Sequence, residues 1–161
     1  MTDSAVAVRR ATAADADRLL AWANDPVIRS AGFQTEPISA EEHAAWFGHV
    51  LADPTERRTW IGHDGSGDIG VFRVALTPDG ALEIGIALAA GARGTRRARP
   101  LLDAGLVAAR EAFPGRRFRA WVRATNAPSL ALFRAAGFEP SASRPTGPPG
   151  APPDAIVLER D

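Results

Sequence analysis

The chain contains no cysteine, no tyrosine and no lysine. Without cysteine there is no disulfide, no thiolate metal site and no cysteine nucleophile. Without lysine there is no Schiff-base amine and no phosphate-loop lysine. Without tyrosine no phenol can donate a proton. An excess of one charge is missing as well: 19 basic residues, all arginine, balance 19 acidic ones. A global electrostatic grip on nucleic acid is therefore not expected. No apolar run approaches the ~20 residues that span a bilayer. The stretch 1–10 lacks the basic-then-apolar order of a secretory signal. No His/Asp/Glu trio has metal-ligand spacing, so no metal is expected. These exclusions lead us to expect a cytoplasmic protein with no membrane and no nucleic-acid partner.

What is present suits one globular domain over residues 1–161, with 45% hydrophobic and 24% charged residues. Val6 and Val8 alternate with small residues and predict a first strand. Thr12 and Asp15 predict a capped helix carrying Leu19, Leu20 and Trp22 and ended by Asn24-Asp25-Pro26. Ser39 and Glu42 form a stronger capping box, followed by His43, Trp46, Phe47 and Val50 on one helical face. The period then changes. A short strand at Trp60–Gly62, a strand with Ile69 and Val71, and a strand with Leu82, Ile84, Ile86 and Leu88 are separated by the turns 64–67 and 77–80. A helix follows with Leu101, Leu102, Gly105, Leu106, Ala109 and Phe113. Next come a strand at Phe118–Val122, a short helix from Asn126 to its terminator Gly137, a Pro/Gly-rich mobile loop at 145–153, and a last strand at Ile156–Leu158. The predicted order is β-α-α-β-β-β-α-β-α-β-β, a mixed α+β domain.

Two segments carry candidate chemistry. The loop Gly91-Ala92-Arg93-Gly94-Thr95-Arg96-Arg97, with Arg99 behind it, gathers four arginines at a helix start, where free N–H groups favour anions. It reads either as a pyrophosphate cradle or as a solvated arginine-rich loop. In the strand before it, Glu83, Gly85 and Ala87 share one face. One carboxylate beside two nearly bare positions suits a thin ligand laid along the backbone; the other reading is an exposed strand face.

These segments resemble the GCN5-related N-acetyltransferase family. Glu83-Ile84-Gly85-Ile86-Ala87-Leu88 with Ala92-Arg93-Gly94 resembles its fourth strand and pyrophosphate loop. Asn126-Ala127-Pro128-Ser129-Leu130-Ala131-Leu132-Phe133-Arg134-Ala135-Ala136-Gly137-Phe138 resembles its Asn…Ser…Leu-Tyr/Phe…Gly-Phe segment. Trp22-Ala23-Asn24-Asp25-Pro26, Arg29, Pro37-Ile38-Ser39 and His43-Ala44-Ala45-Trp46-Phe47 resemble a subgroup that acetylates small amines such as amino sugars. The resemblance implies a twisted, mostly antiparallel sheet of about seven strands, helices on both faces, and fourth and fifth strands that splay apart.

It also implies acetyl-CoA as co-substrate, held by Ile86, Ala87, Leu88, Arg93, Gly94, Thr95, Arg96, Arg97, Ala98, Asn126, Ser129 and Phe133. Two positions depart from the family pattern. Arg96 stands where a glycine is usual, and Phe133 where many members carry an acidic tyrosine. The implied reaction is direct attack of a neutral amine on the thioester, with Glu83 as first and His43 as second candidate base and Ser129 as a candidate proton donor. His43 reads equally well as a helix-packing residue. Trp46, His43, Arg29 and Trp121 are candidate acceptor contacts. The alternatives are acetylation of a protein N-terminus and a non-catalytic acyl-CoA-binding domain. The expected chain is a monomer or homodimer.

Overall fold

A computed structural model describes residues 5–161; part of the amino-terminal stretch read above, residues 1–4, lies outside them. The described residues form strands β1 (Ala7–Arg10), β2 (Arg57–Asp64), β3 (Gly67–Leu76), β4 (Leu82–Leu88), β5 (Phe118–Val122), β6 (Glu139–Pro140) and β7 (Ile156–Arg160). The helices are α1 (Ala16–Ala23), α2 (Pro26–Ala31), α3 (Ala40–Ala52), α4 (Ala98–Ala112) and α5 (Ala127–Ala135). The strands make one sheet in the order β1-β2-β3-β4-β5-β7-β6, antiparallel except for the parallel β4–β5 pair. No described helix is long and apolar enough to cross a membrane.

Strand alternation sorts side chains to two faces. On one face Trp60, Phe72, Val74, Leu82, Ile84, Phe118, Ala120 and Val122 join Leu101, Leu102 and Leu106 of α4 and Phe133 of α5 in the larger core. Gly105 lets α4 settle onto the sheet, because a Cβ there would lie 2.3 Å from the Phe72 ring. On the other face Ile61 and Val71 meet Leu19 of α1 and Phe47 and Val50 of α3. Helices therefore cover both faces, as expected.

Three local expectations change. Asn24-Asp25-Pro26 ends α1 but at once begins α2: the Asp25 carboxylate accepts from the Val27 and Ile28 N–H groups at 2.9 and 3.4 Å, with Pro26 in the first turn. Three helices therefore precede the central strands. The strand expected at Trp60–Gly62 runs from Arg57 to Asp64, because β1 and β3 pair with it on both sides. The Pro/Gly-rich loop expected to be mobile is tied down. Arg144 donates to the carbonyls of Ala155 (2.8 Å) and Pro152 (3.2 Å) and lies over Trp121, and Gly150 packs on the Phe33 carbonyl.

The start of α1 rests on an ion pair between the buried Asp15 and the partly exposed Arg9. Both oxygens of Asp15 accept from Arg9, at 2.8 and 2.9 Å, and Oδ2 also accepts the Thr12 N–H at 2.8 Å. The hydrogen bonds from Arg9 are the main cause that lowers the Asp15 pKa to about 2. A lowered acid pKa contributes stability that is complete above the unfolded value near 4 and is lost as pH falls through the folded one. The contribution is about 2 kcal/mol. Urea unfolding between pH 5 and pH 2 should show the wild type losing about 2 kcal/mol more stability than Asp15→Asn; parallel curves would refute the assignment.

Candidate active site

The parallel strands β4 and β5 pair at only two positions, Leu82↔Phe118 and Glu83↔Arg119. Beyond them the strands part, and the edges of 84–88 and 120–122 face a wedge instead of each other. Unpaired strand edges leave N–H and C=O groups free for a ligand. The closed end of the wedge is tied by Arg119, which is buried and donates to both oxygens of Asp79 (3.0 and 2.7 Å) and to Glu159 (2.8 Å). This fork holds the Asp79 carboxyl well below the ordinary range.

At the open end, β4 runs into the arginine loop and α4. Arg93 pairs with Asp25 at 2.8 Å and holds that carboxyl's pKa down. Arg97 pairs with Asp64 at 2.8 Å, and Arg99 with Asp103 at 2.9 Å and the Ala135 carbonyl at 2.7 Å. Three of the four expected cradle arginines are thus already committed. Arg96 is exposed and, among the described residues, makes no hydrogen bond or ion pair. Its φ is +62°, which explains why a glycine is usual here. Gly94, at φ +72°, and the hydrogen bond from Thr95 to the Ala92 carbonyl shape the turn. Arg96 and the free N–H groups of the 15-residue α4, which begins at Ala98, follow the end of β4 where the wedge opens, an arrangement that favours an anion. Such a site fits a pyrophosphate.

On the β5 side of the wedge, Asn126 caps α5 by accepting the Ser129 N–H at 3.2 Å. Phe133 faces the core, edge-on to Phe138 at 5.1 Å. It therefore serves packing and supplies no proton.

The Glu83 face of the sheet holds a residue that the sequence reading passed over. Arg73 on β3 is the cross-strand partner of Gly85. It lies so close over that glycine that a Cβ would come within 2.4 Å of its Nε. Its guanidinium also sits 5.9 Å from the Trp46 ring. The space expected above Gly85 for a thin ligand is filled by this side chain, which also lies against Trp46, one of the candidate acceptor contacts. Protein atoms crowd Arg73 and push its pKa down, yet the side chain is solvent-exposed. Its charge is thus reached by water.

Glu83 is half-buried, and desolvation raises its pKa against the pull of Arg119 and Arg73. His43 is buried, stacked on Phe47 and beside Trp46, and both burial and Arg73 lower its pKa. Trp121 shares the face of Arg119, and its buried Nε1 has no partner among the described residues. Arg29 is anchored to the carbonyls of Ala23 (2.7 Å) and Glu36 (3.1 Å).

A concavity of about 490 Å³ lies elsewhere, before the starts of β4 and β5, and is lined by Asp79, Arg110, Arg116, Arg117, Arg119 and Asp161. Arg119 and Arg117 are paired there with Asp79 and Asp161, and Arg110 and Arg116 donate to the backbone carbonyls of Asp161 and Gly80. The wedge, bounded by strand edges, is where chemistry is supported. No described group of His, Cys, Asp and Glu could hold a metal.

The acetyltransferase (GNAT) domain family matches residues 6–139, and the chain belongs to it. It is an acetyltransferase domain. Among solved structures it is similar to spermidine N-acetyltransferase from Vibrio cholerae in complex with CoA and spermine (18% identity, TM-score 0.78, 96% of this chain and 93% of that one). It is also similar to a phosphinothricin acetyltransferase from Sinorhizobium meliloti in complex with AcCoA (25%, 0.76, 97% and 88%). A third is ribosomal-protein-alanine N-acetyltransferase from Brucella melitensis (25%, 0.76, 95% and 98%). A search of curated proteins finds no match.

Arg96 predicts a trade of stability against binding. Left-handed backbone costs a residue with a side chain roughly 1 kcal/mol. Arg96→Gly should raise unfolding stability by up to about 1 kcal/mol while weakening coenzyme A binding several-fold, read by denaturation and calorimetry. Unchanged binding would remove Arg96 from the anion site.

Proposed function

We propose that this domain transfers the acetyl group of acetyl-CoA to the primary amine of a small molecule by direct attack on the thioester. The observation that carries the reading is the wedge between β4 and β5, with an anion site at its mouth and a raised-pKa carboxyl, Glu83, at its closed end. By their descriptions, the three solved relatives use a polyamine, phosphinothricin and a ribosomal-protein alanine as acceptors. An amine acceptor is common to them. Among small amines, an amino sugar is the acceptor suggested by the resemblance of the α2–α3 region.

The division of labour follows from placement. The α4 N-terminus and Arg96 hold the pyrophosphate, the edge of Ile86, Ala87 and Leu88 aligns the donor, and Asn126 and Ser129 face it from α5. Proximity supplies much of the acceleration. Free N–H groups on the parted edge of β4 stabilise the oxyanion that forms as the amine nitrogen bonds to the carbonyl carbon. Glu83, directly or through one water, takes the ammonium proton. The C–S bond breaks and the sulfur leaves as thiolate. With a thiol pKa near ~8.5, the thiolate leaves without an obligatory acid, which suits a chain without tyrosine; Ser129 or water returns the proton. His43, held neutral, is the second base candidate.

Loss of a positioned base costs roughly 100-fold or more. Glu83→Gln should lower kcat by about that factor and move the rising limb of the pH–rate profile upward, toward the amine's own pKa. Thiol release from acetyl-CoA across pH 6–10 measures both. A variant that keeps the wild-type profile would show that Glu83 is not the base.

A further inference from the structure

The proposed acceptor site contains a cation that makes no ion pair, Glu83 acting on it only from beyond contact distance. Arg73 is held between the backbone of β4 at Gly85 and the indole of Trp46. Among the described residues it makes neither a hydrogen bond nor an ion pair, although its side chain is exposed. The charge acting on it most strongly is another cation, Arg29, ahead of Glu83. Arg29 spends its Nε and Nη1 on backbone carbonyls. Toward β5 the pattern repeats. Arg123 donates to the Gly32 carbonyl at 2.8 Å and lies over Phe33. Arg144 donates to carbonyls and lies over Trp121. Such contacts fix an arginine without cancelling its charge. Elsewhere in this electrically neutral chain, Arg9, Arg93, Arg97, Arg117 and Arg119 are each paired with a carboxylate, whereas Arg58 and Arg110 are held on carbonyls and rings in the same way.

From this arrangement, and resting on the acetyltransferase reading above, we infer that the acceptor amine also carries an anionic group, a carboxylate or a phosphorus oxyanion, that seats on Arg73. The substrate class is then acidic amines rather than polyamines or neutral amino sugars. A guanidinium offers a planar fork matched to carboxylate and phosphate oxygens. Held on two sides, Arg73 presents that fork at little further entropic cost. Glu83 lies two residues from Gly85 on the same strand face, roughly 7 Å along β4. A carboxylate and a guanidinium at that spacing complement a compact zwitterion, its amine toward Glu83 and its anion toward Arg73. A polyamine would instead bring further positive charge among Arg73, Arg29 and Arg144.

The test compares phosphoethanolamine and β-alanine with ethanolamine and spermidine, using the full chain and acetyl-CoA. At least one anionic probe should exceed ethanolamine in kcat/KM by ten-fold or more, and the two anionic arms tell phosphate from carboxylate. Arg73→Gln should reduce that ratio at least ten-fold through KM, and Arg73→Lys should restore part of it. Equal use of ethanolamine, a preference for spermidine, or equal losses on every probe in Arg73→Gln would overturn the inference. If no amine is acetylated, calorimetric binding of the same probes to the coenzyme A complex decides separately. Arg73-dependent binding of an anionic probe would uphold the inference while the transfer reading fails; its absence would overturn the inference too.

Discussion

The parting of β4 from β5 is the constraint on which the rest of the molecule depends. Two paired positions close the sheet at one end, and a buried arginine fork clamps that end through Asp79 and Glu159. Two parallel strands that stayed paired would spend their edge groups on each other and leave nothing for a ligand. The clamp lets the sheet be continuous enough to fold yet open enough to bind. Removing one partner of such a buried pair is far more damaging than never having built it.

Local pattern revealed much of this. The capping box at Ser39 and Glu42 is present, with Glu42 N–H donating to Ser39 at 3.1 Å. The alternation at Leu82–Leu88 sends Leu82 and Ile84 into the core and Glu83 to the opposite face. Gly137 follows α5 at φ +88°, where the Phe138 N–H reaches back to the Phe133 carbonyl. Each of these is decided within a few residues of chain, the range over which periodicity and turn chemistry act.

What the local pattern could not show depends on contacts between distant residues. Arg73 matters because the β3–β4 register sets it opposite Gly85, and registers are settled by pairing, not by either strand alone. Its signal was nonetheless present: an arginine within the apolar run Ile69–Leu76 and a glycine in the partner strand. The four arginines of the 91–99 segment read as one cradle, but their partners Asp25 and Asp64 are far away in sequence. Only the fold could show that Arg96 alone remained uncommitted. A helix as short as α2 is likewise invisible to a hydrophobic period and is held by Asp25 and Arg29.

Asp25 has two duties. Its carboxylate caps α2, and the same carboxylate faces Arg93 at the mouth of the wedge. Anything that draws Arg93 away from Asp25 changes the electrostatics at the first turn of α2, and anything that shifts α2 changes the pull on Arg93. Under the proposed function, a ligand that moved either element would be felt at the other, and any such coupling free energy is equal in both directions.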